Sequence, residues 1–187
     1  YFPRTYLDYT NRVKIINLKP DNLYTCIATI KKFYIYKSPN NSNLSIMNIV
    51  IFDETSSIKV TKFFLGKRFR SYSFFSSQKS LYIPGTKLAI SGKVKLSEYG
   101  KNFVDPQIEI LNTNEESFNF SGKIMPLYSL SESLSNISFI KLIKKVIFYS
   151  KQYPDLLTSK QLNSLSLLSK SDALINIHLP LNKSSLI

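Results

Sequence analysis

Apolar and polar positions between residues 22 and 111 follow patterns that predict five β-strands, rich in β-branched and aromatic residues. The third segment shows this most clearly, because apolar and polar residues alternate from Ile58 through Thr61. Turn residues separate the segments, and the connection over residues 66–82 is predicted to be irregular. The predicted strands are Leu23–Tyr36, Leu44–Phe52, Ile58–Leu65, Lys87–Leu96 and Asn102–Leu111.

Five strands with a long connection after the third are typical of the OB-fold, a partly open Greek-key barrel. Gly92 lies in the fourth strand and suits a bend at a barrel corner, while Pro106 indicates an edge position or a bulge in the fifth. A β-sandwich is the competing interpretation, but it needs about seven short strands. The predicted fold class is therefore mainly β with α, a five-stranded OB-fold barrel followed by a small helical region.

The periodicity changes from strands to helices beyond an acidic linker at residues 112–119. Ser135 is a predicted N-cap, and a second short helix is predicted from Pro154 to about Leu165. We expect a lead-in segment over residues 1–21, an OB-fold domain over 22–120 and a helical region over 121–187. The helically spaced apolar residues after the N-cap are Phe139, Leu142, Ile143 and Val146.

The composition excludes several kinds of site. One cysteine and one histidine among 187 residues rule out a disulfide framework, a cysteine-rich zinc site and the usual histidine-based metal clusters. No apolar run approaches the ~20 residues that cross a bilayer, so we expect a soluble, intracellular protein without a membrane partner. Because the chain begins at Tyr1 and not at Met, we expect a fragment of a longer protein.

Positive charge is concentrated in one part of the chain. The whole chain has 25 Lys and Arg against 12 Asp and Glu, a formal charge of +13, and residues 59–101 alone have 10 basic residues and 1 acidic residue. An AT-rich genome explains part of the total, since there are 21 Lys and 4 Arg, but it does not explain the uneven distribution. A concentrated basic segment is typical of proteins that bind a polyanion, most often nucleic acid.

No motif predicts catalysis by this chain alone. The sequence contains neither G-x-x-x-x-G-K-[ST] nor G-x-G-x-x-G, so nothing in it is expected to hold nucleotide phosphates. We interpret His178, which lies between apolar residues, as a packing or capping residue, and Cys26 as a small core residue. The acidic pairs at residues 53–54 and 115–116 lie in predicted turns, where nothing holds two carboxylates apart for acid–base catalysis.

A basic and aromatic segment at the end of the third strand is the main candidate for a binding site. OB-folds hold single strands by stacking bases on aromatic rings while cations contact the phosphates. Phe63 and Phe64 cannot both point inward on a regular strand, and strict alternation from Val60 exposes Phe63 and buries Phe64. The candidate residues are Lys62, Phe63, Phe64, Lys67, Arg68, Phe69 and Arg70, with Lys93, Lys95, Tyr99 and Lys101 beside the fourth-to-fifth strand connection.

Several segments, in order along the chain, resemble the wedge region of RecG-type DNA helicases. Residues 1–9, YFPRTYLDY, resemble the family's Y-x-P-R-x-Y-x-D segment, and residues 122–135 resemble its G-x-[IV]-x-P-x-Y-x-L-[ST]-x-G-[LVI]-[ST] run. Ser57 and Ser133 replace family glycines, and the long turn between the first two strands is similar to the cyanobacterial and plastid branch. Shorter matches lie at residues 50–60, 84–85, 91–95, 105–111 and 173–180.

The resemblance implies a specific function. RecG-type enzymes are monomeric, ATP-dependent DNA translocases that regress stalled forks and branch-migrate Holliday junctions in DNA repair and recombination. Their OB-fold wedge separates strands at the junction while motor domains pull, so this chain is expected to be the wedge, with residues 121–187 preceding the motor. The resemblance implies no cofactor in this chain, ATP and Mg²⁺ for the motor domains of the parent, and branched and single-stranded DNA as partners.

The resemblance also implies roles for individual residues. The family's stacking aromatics match Phe64 and, a few residues on, Phe69, and Arg68 shares the second role. It implies a bacterial cytoplasmic protein associated with the nucleoid, or a plastid protein. Two other functions stay open from the residues: a free-standing OB-fold protein that binds single-stranded nucleic acid, and a tRNA-binding OB domain of a synthetase, against which the helical region argues.

Overall fold

The structure of the protein, a computed structural model, describes residues 1–98, 100–111, 121–131 and 134–181. The chain forms two compact units, one of residues 9–122 and one of residues 1–8 with 123–187. The expected division into segments 1–21, 22–120 and 121–187 remains a prediction, and the acidic linker at residues 112–119 lies outside the described residues. No described helix has the length and apolar character needed to span a membrane.

A closed barrel of five strands makes up most of the first unit. The described strands of the chain are β1 (Thr5–Asp8), β2 (Leu23–Lys37), β3 (Leu44–Phe52), β4 (Ser57–Leu65), β5 (Lys87–Ser97), β6 (Gly100–Val104), β7 (Gln107–Ile110) and β8 (Ile124–Leu127). The strand order in the barrel is β2-β3-β4-β6-β5, and β5 pairs back onto β2. The pairing of β4 with β6 is parallel and the other four are antiparallel. This order confirms the predicted OB-fold.

The first four predicted strands are confirmed to within one residue at each end, but the fifth is divided in two. The division falls at Asp105, whose φ is +50°, and at Pro106, which cannot donate a hydrogen bond to a neighbouring strand. The second half, β7, pairs with β5 and with no other described strand. Gly92 lies under this break, since a Cβ added to it would be 2.7 Å from the Cβ of Pro106.

The connection between β4 and β5 is helical, and the prediction that it is irregular was wrong. A 3₁₀ turn at Lys67–Arg70 leads into helix α1, Tyr72–Leu81. The Oγ of Ser71 accepts a hydrogen bond from the backbone N–H of Phe74 at 3.1 Å and so caps α1. The sequence obscured this helix because Ser and aromatic residues, which are only moderate helix formers, occupy most of α1.

Alternate side chains of the strands fill the barrel. On β3, for example, Met47, Ile49 and Ile51 point inward and are almost completely buried. Cys26 belongs to this core, as predicted, and burial raises the pKa of its thiol to about 12, so it stays protonated. The largest fully buried side chains of the barrel unit are Phe103, Leu18, Ile30, Met47, Ile49, Ile51, Leu88, Ile90, Val60 and Val94.

The second unit combines a two-stranded sheet with helices α2 (Asn136–Val146), α3 (Ser159–Ser164) and α4 (Lys170–His178). The sheet pairs β1 with β8, a pairing between distant segments that the sequence did not reveal. Helix α2 confirms the first predicted helix, and the Oγ of Ser135 caps it by accepting from the N–H of Ser138. The second predicted helix begins later than Pro154, because Thr158 and Gln161 form a capping box that starts α3.

His178 is a packing residue, as predicted. Its ring is nearly parallel to those of Phe2 and Tyr128, with centroids 6.1 and 5.9 Å away, and its Nδ1 lies 2.8 Å from the Tyr128 hydroxyl oxygen. Burial lowers the pKa of the imidazole, which favours the neutral ring.

Candidate nucleic-acid interface

The two adjacent phenylalanines near the end of β4 point to opposite sides of the barrel wall. Phe63 pairs with Ile46 of β3 and is 42% exposed. Phe64 is half-buried and packs against the core. The alternation predicted from Val60 is therefore confirmed, and the ring in contact with solvent on the outer side is that of Phe63.

Three phenylalanine rings form a cluster where β4 meets the helical connection. The ring centroids of Phe64 and Phe69 are 5.5 Å apart, those of Phe64 and Phe74 are 5.0 Å apart, and those of Phe69 and Phe74 are 5.2 Å apart. The ring planes are inclined at 48–69°, close to the edge-to-face arrangement that aromatic pairs prefer. Phe64 and Phe69, predicted as two stacking residues, thus belong to one packed phenylalanine cluster.

Three basic side chains, Lys67, Arg68 and Arg70, lie in the 3₁₀ turn next to this cluster, and we call them the basic turn. The guanidinium of Arg68 lies over the ring of Phe69, 4.6 Å from its centroid, in cation–π geometry. The Nη1 of Arg70 donates a hydrogen bond to the backbone carbonyl of Asn41 at 3.0 Å. Lys67 is exposed.

The basic turn is anchored to the connection between β2 and β3, residues 38–43. The backbone N–H of Gly66 donates to the carbonyl of Asn43 at 2.7 Å, and the Oγ of Ser45 donates to the carbonyl of Phe69 at 2.9 Å. Gly66 has a φ of +122°, which a residue with a side chain rarely adopts. These bonds and the one from Arg70 to Asn41 join the two connections and the start of β3 into one surface, which we call the barrel end.

Two of the predicted DNA-binding lysines make hydrogen bonds within the barrel unit. The Nζ of Lys62 donates to the carbonyl of Pro106 at 3.0 Å and lies 3.5 Å from the carboxylate of Asp105, so it closes the break between β6 and β7. The Nζ of Lys101 donates to the carbonyl of Leu18 at 2.6 Å. Both ammonium groups therefore have partners within the chain.

The remaining candidates beside the connection of β5 and β6 differ in their surroundings. Lys93 is exposed, and its Nζ lies 3.1 Å from the carboxylate of Asp21. Lys95 is exposed, and among the described residues no ion pair or hydrogen bond joins its ammonium group to another side chain. Tyr99 lies outside the described residues.

Positive charge at the barrel end is not balanced by neighbouring carboxylates in the sequence. No Asp or Glu occurs from Lys59 through Ser97, a stretch that includes the basic turn, α1 and nearly all of β4 and β5. A surface with one sign of charge attracts a polyanion over distances of about a Debye length, ~8–10 Å at moderate salt.

The acidic turn between β3 and β4 has a structural role, in agreement with the prediction of a turn. The carboxylate of Asp53 accepts hydrogen bonds from the backbone N–H groups of Ile15, Thr55 and Ser56 and from the Thr55 hydroxyl. Burial raises the pKa of this carboxyl group, but the hydrogen bonds outweigh burial and lower the pKa to about 2.

Sequence reasoning missed two exposed tyrosines on the outer side of β2. Tyr34 and Tyr36 are 53% and 42% exposed, and their partners on β3 share the sheet face that carries Phe63. The signal was present in the sequence, because both tyrosines alternate with Phe33 and Ile35, which pack against the core.

The strand order and the helix after the third barrel strand define an OB-fold domain, and its barrel end is aromatic and basic. A family model described as the RecG wedge domain matches residues 1–149. The chain therefore belongs to the RecG wedge domain family.

Two known proteins are similar over the whole chain. The chain is 32% identical over 188 residues to the ATP-dependent DNA helicase RecG of Synechocystis sp., and the match covers 100% of this chain and 23% of that protein. It also resembles the structure of RecG bound to a three-way DNA junction, with a TM-score of 0.76, 21% identity and coverage of 100% of this chain and 24% of that one. The chain thus spans about a quarter of the length of each relative.

Proposed function

We propose that this chain binds branched DNA at the barrel end and separates the strands there, as the wedge of an ATP-dependent helicase that regresses forks and branch-migrates Holliday junctions. The observation that carries the proposal is the basic turn fixed beside the phenylalanine cluster, in a member of the RecG wedge domain family. The relatives support the substrate class, since one is named as a DNA helicase and the other is bound to a three-way DNA junction.

The basic turn would contact phosphates on either side of the branch point. Arg68 and Arg70 are already held by the Phe69 ring and by the carbonyl of Asn41, so binding orders few additional side-chain torsions. A guanidinium in such a position can still contact a phosphate, because it has five N–H donors and the described contacts use only part of them. Lys67 adds an exposed ammonium group.

The phenylalanine cluster would take the place of the next base pair at the branch point. Because the rings of Phe64 and Phe69 pack on each other and on Phe74, removing one of them disturbs the other two. We therefore assign stacking to the cluster as a whole, with Phe64 as the ring that joins it to β4. Stacking of a base on an aromatic ring contributes ~1–3 kcal/mol, which offsets the ~1.4 kcal/mol cost of opening one base-pair step.

The lysines beside the connection of β5 and β6 would have a weaker role. Lys95, exposed and with no partner among the described residues, is the candidate for a direct phosphate contact. Lys62, Lys93 and Lys101 have partners within the chain and would act mainly through the positive field of the surface.

ATP and Mg²⁺ belong, in this proposal, to the motor domains of the longer protein. The sequence of this chain has no phosphate-binding loop motif, and the described residues bring no three His, Cys, Asp or Glu side chains together. In this proposal the chain binds chromosomal DNA at the nucleoid and separates its strands, as a monomer and with single-stranded DNA as a second partner.

A titration of the whole chain against matched DNAs tests the proposal. A fork, a duplex and a single strand of the same sequence, each labelled at the same end, are compared at one salt concentration, because phosphate contacts make affinity salt-dependent. We expect the fork to bind most tightly. Equal affinity for fork and duplex would contradict the proposal, and tighter binding of the single strand would favour a free-standing single-strand-binding protein.

A further inference from the structure

The outer surface of β2, β3 and β4 carries exposed aromatic rings that do not belong to the barrel core. Tyr36 of β2 lies beside Ile46 of β3, which lies beside Phe63 of β4, so two rings flank one aliphatic side chain. Tyr34 precedes Tyr36 by two residues and so points to the same side at a spacing of about 7 Å. Among the described residues, no ring–ring contact involves Tyr34, Tyr36 or Phe63. We call this surface the outer face.

A chain of hydrogen bonds across three strands fixes the centre of the outer face. The Oγ1 of Thr61 donates to the Oδ1 of Asn48 at 2.9 Å, and the Nδ2 of Asn48 donates to the hydroxyl oxygen of Tyr36 at 3.2 Å. Asn48 also lies between Tyr34 and Thr61 in the register of the sheet. The Tyr36 ring is therefore held in place before any ligand binds.

The charged side chains on the three strands of the outer face are all basic. No Asp or Glu occurs in β2, β3 or β4. Exposed Lys32 and Lys59 lie on either side of Val50 in the sheet and so form a basic row. This row and the basic turn lie at opposite ends of the outer face, with Tyr34 and Asn48 between them. Exposed rings in a row between cations are the arrangement that binds single strands, in which rings stack on bases and lysines contact phosphates.

We infer that the outer face is a second DNA-binding surface, separate from the barrel end, which holds an unpaired strand by stacking bases on Tyr34, Tyr36 and Phe63. The inference deepens the proposed function, on which it rests, because it identifies where a strand released at the branch point would be bound. A protein partner is disfavoured, since polar Asn48 and Thr61 lie beside Tyr34 on this face and lysines border it.

The test uses the whole chain, a labelled oligothymidylate and a junction whose arms are all duplex. Tyr34→Ala and Tyr36→Ala are each expected to weaken oligothymidylate binding about tenfold, which corresponds to a stacking loss of ~1–3 kcal/mol per base. Both variants should bind the duplex-armed junction like the wild type. Tyr34→Phe should bind oligothymidylate normally, because it keeps the ring and loses only the hydroxyl.

Tyr72→Ala is the matched control, since Tyr72 is 88% exposed but lies on α1. Thermal melting of every variant identifies a loss of binding that comes from misfolding. Photocrosslinking with an oligothymidylate that contains 5-iododeoxyuridine should map to the peptide with Tyr34 and Tyr36.

The outcomes separate the two proposals. Oligothymidylate binding that survives in folded Tyr34→Ala and Tyr36→Ala, or that falls equally in Tyr72→Ala, would overturn the inference even if forks are still preferred. A wild-type chain that binds oligothymidylate through these tyrosines but does not prefer forks would instead contradict the proposed function.

Discussion

Replacing Phe64 by alanine tests whether this ring stabilises the barrel, stacks on DNA, or does both. The side chain is half-buried and makes two ring contacts, with Phe69 and Phe74. Each aromatic pair contributes about 0.5–1.5 kcal/mol beyond area burial, and full burial of a phenylalanine contributes about 1.5–3 kcal/mol. With about half of that burial, the expected loss is about 3 kcal/mol of unfolding free energy.

A loss of that size is measurable by thermal melting. In a chain of this size it lowers Tm by roughly 10 °C, and the variant remains folded at 20 °C if the wild type has ordinary stability. Phe63→Ala is the matched control, because Phe63 is exposed and outside the cluster, and its Tm should change little. At 20 °C the Phe64→Ala variant should bind a duplex-armed junction about tenfold more weakly and duplex DNA almost as well as the wild type.

Phe64→Leu separates packing from stacking. Leucine restores the apolar burial but not the two ring contacts, and it has no flat ring to stack on a base. We expect Phe64→Leu to melt between Phe64→Ala and the wild type and to keep the weak junction binding of Phe64→Ala. If leucine restored junction binding in proportion to Tm, Phe64 would act through packing alone and its assignment to the wedge would be wrong.

Three further predictions concern charge, packing and pH. Replacing Lys67, Arg68 and Arg70 by Gln should reduce the slope of log K against log salt by roughly 0.9 for each lost duplex phosphate contact. The same change at Lys141, Lys145 and Lys151 should leave the slope unchanged. If the variant of the basic turn kept the wild-type slope, the basic turn would not contact DNA. Gly92→Ala should destabilise the barrel by ~1–3 kcal/mol, because the added Cβ would be 2.7 Å from the Cβ of Pro106. Denaturant unfolding measures this loss, and an unchanged denaturant midpoint would contradict the geometry. The pKa of Asp53 in the folded chain, about 2, is below the ordinary value of 3.8, so its contribution to the free energy of unfolding should be complete above about pH 4 and decline as pH falls towards 2. The free energy of unfolding of Asp53→Asn should depend less on pH over that window. The same pH dependence in both proteins would count against the hydrogen bonds to Asp53.

The strands of the barrel could be predicted from sequence because their apolar residues alternate or are rich in β-branched and aromatic types. Phe63 and Phe64 are an example, since the two-residue period of a strand alone predicted that their side chains point to opposite sides. Helix α1 could not be recognised in the same way, because its stability comes from the Ser71 cap and from packing of Phe74 in the cluster. The pairing of β1 with β8 depends on a long-range contact that local patterns do not contain.

The residues of the candidate site could be predicted from sequence, but the contacts that each of them makes could not. The basic and aromatic segment after β4 was evident from sequence, and the structure brings Phe64, Arg68 and Phe69 together. The partners of Lys62 and Lys101 are backbone carbonyls of residues distant in the chain, which composition cannot reveal. The same holds for the bond from Arg70 to Asn41, which joins the two connections of the barrel end.

Fluorescence of 2-aminopurine placed at the branch point of a DNA fork measures strand separation at the barrel end most directly. The same analogue in the middle of a duplex arm serves as the reference position, and the variant with Gln at residues 67, 68 and 70 controls for binding. If the phenylalanine cluster replaces the next base pair, the wild-type chain should change the emission at the branch point only, and Phe64→Leu should abolish the change at saturating protein. The same emission change at both positions, or none at the branch point when the fork is fully bound, would contradict a role as a strand-separating wedge.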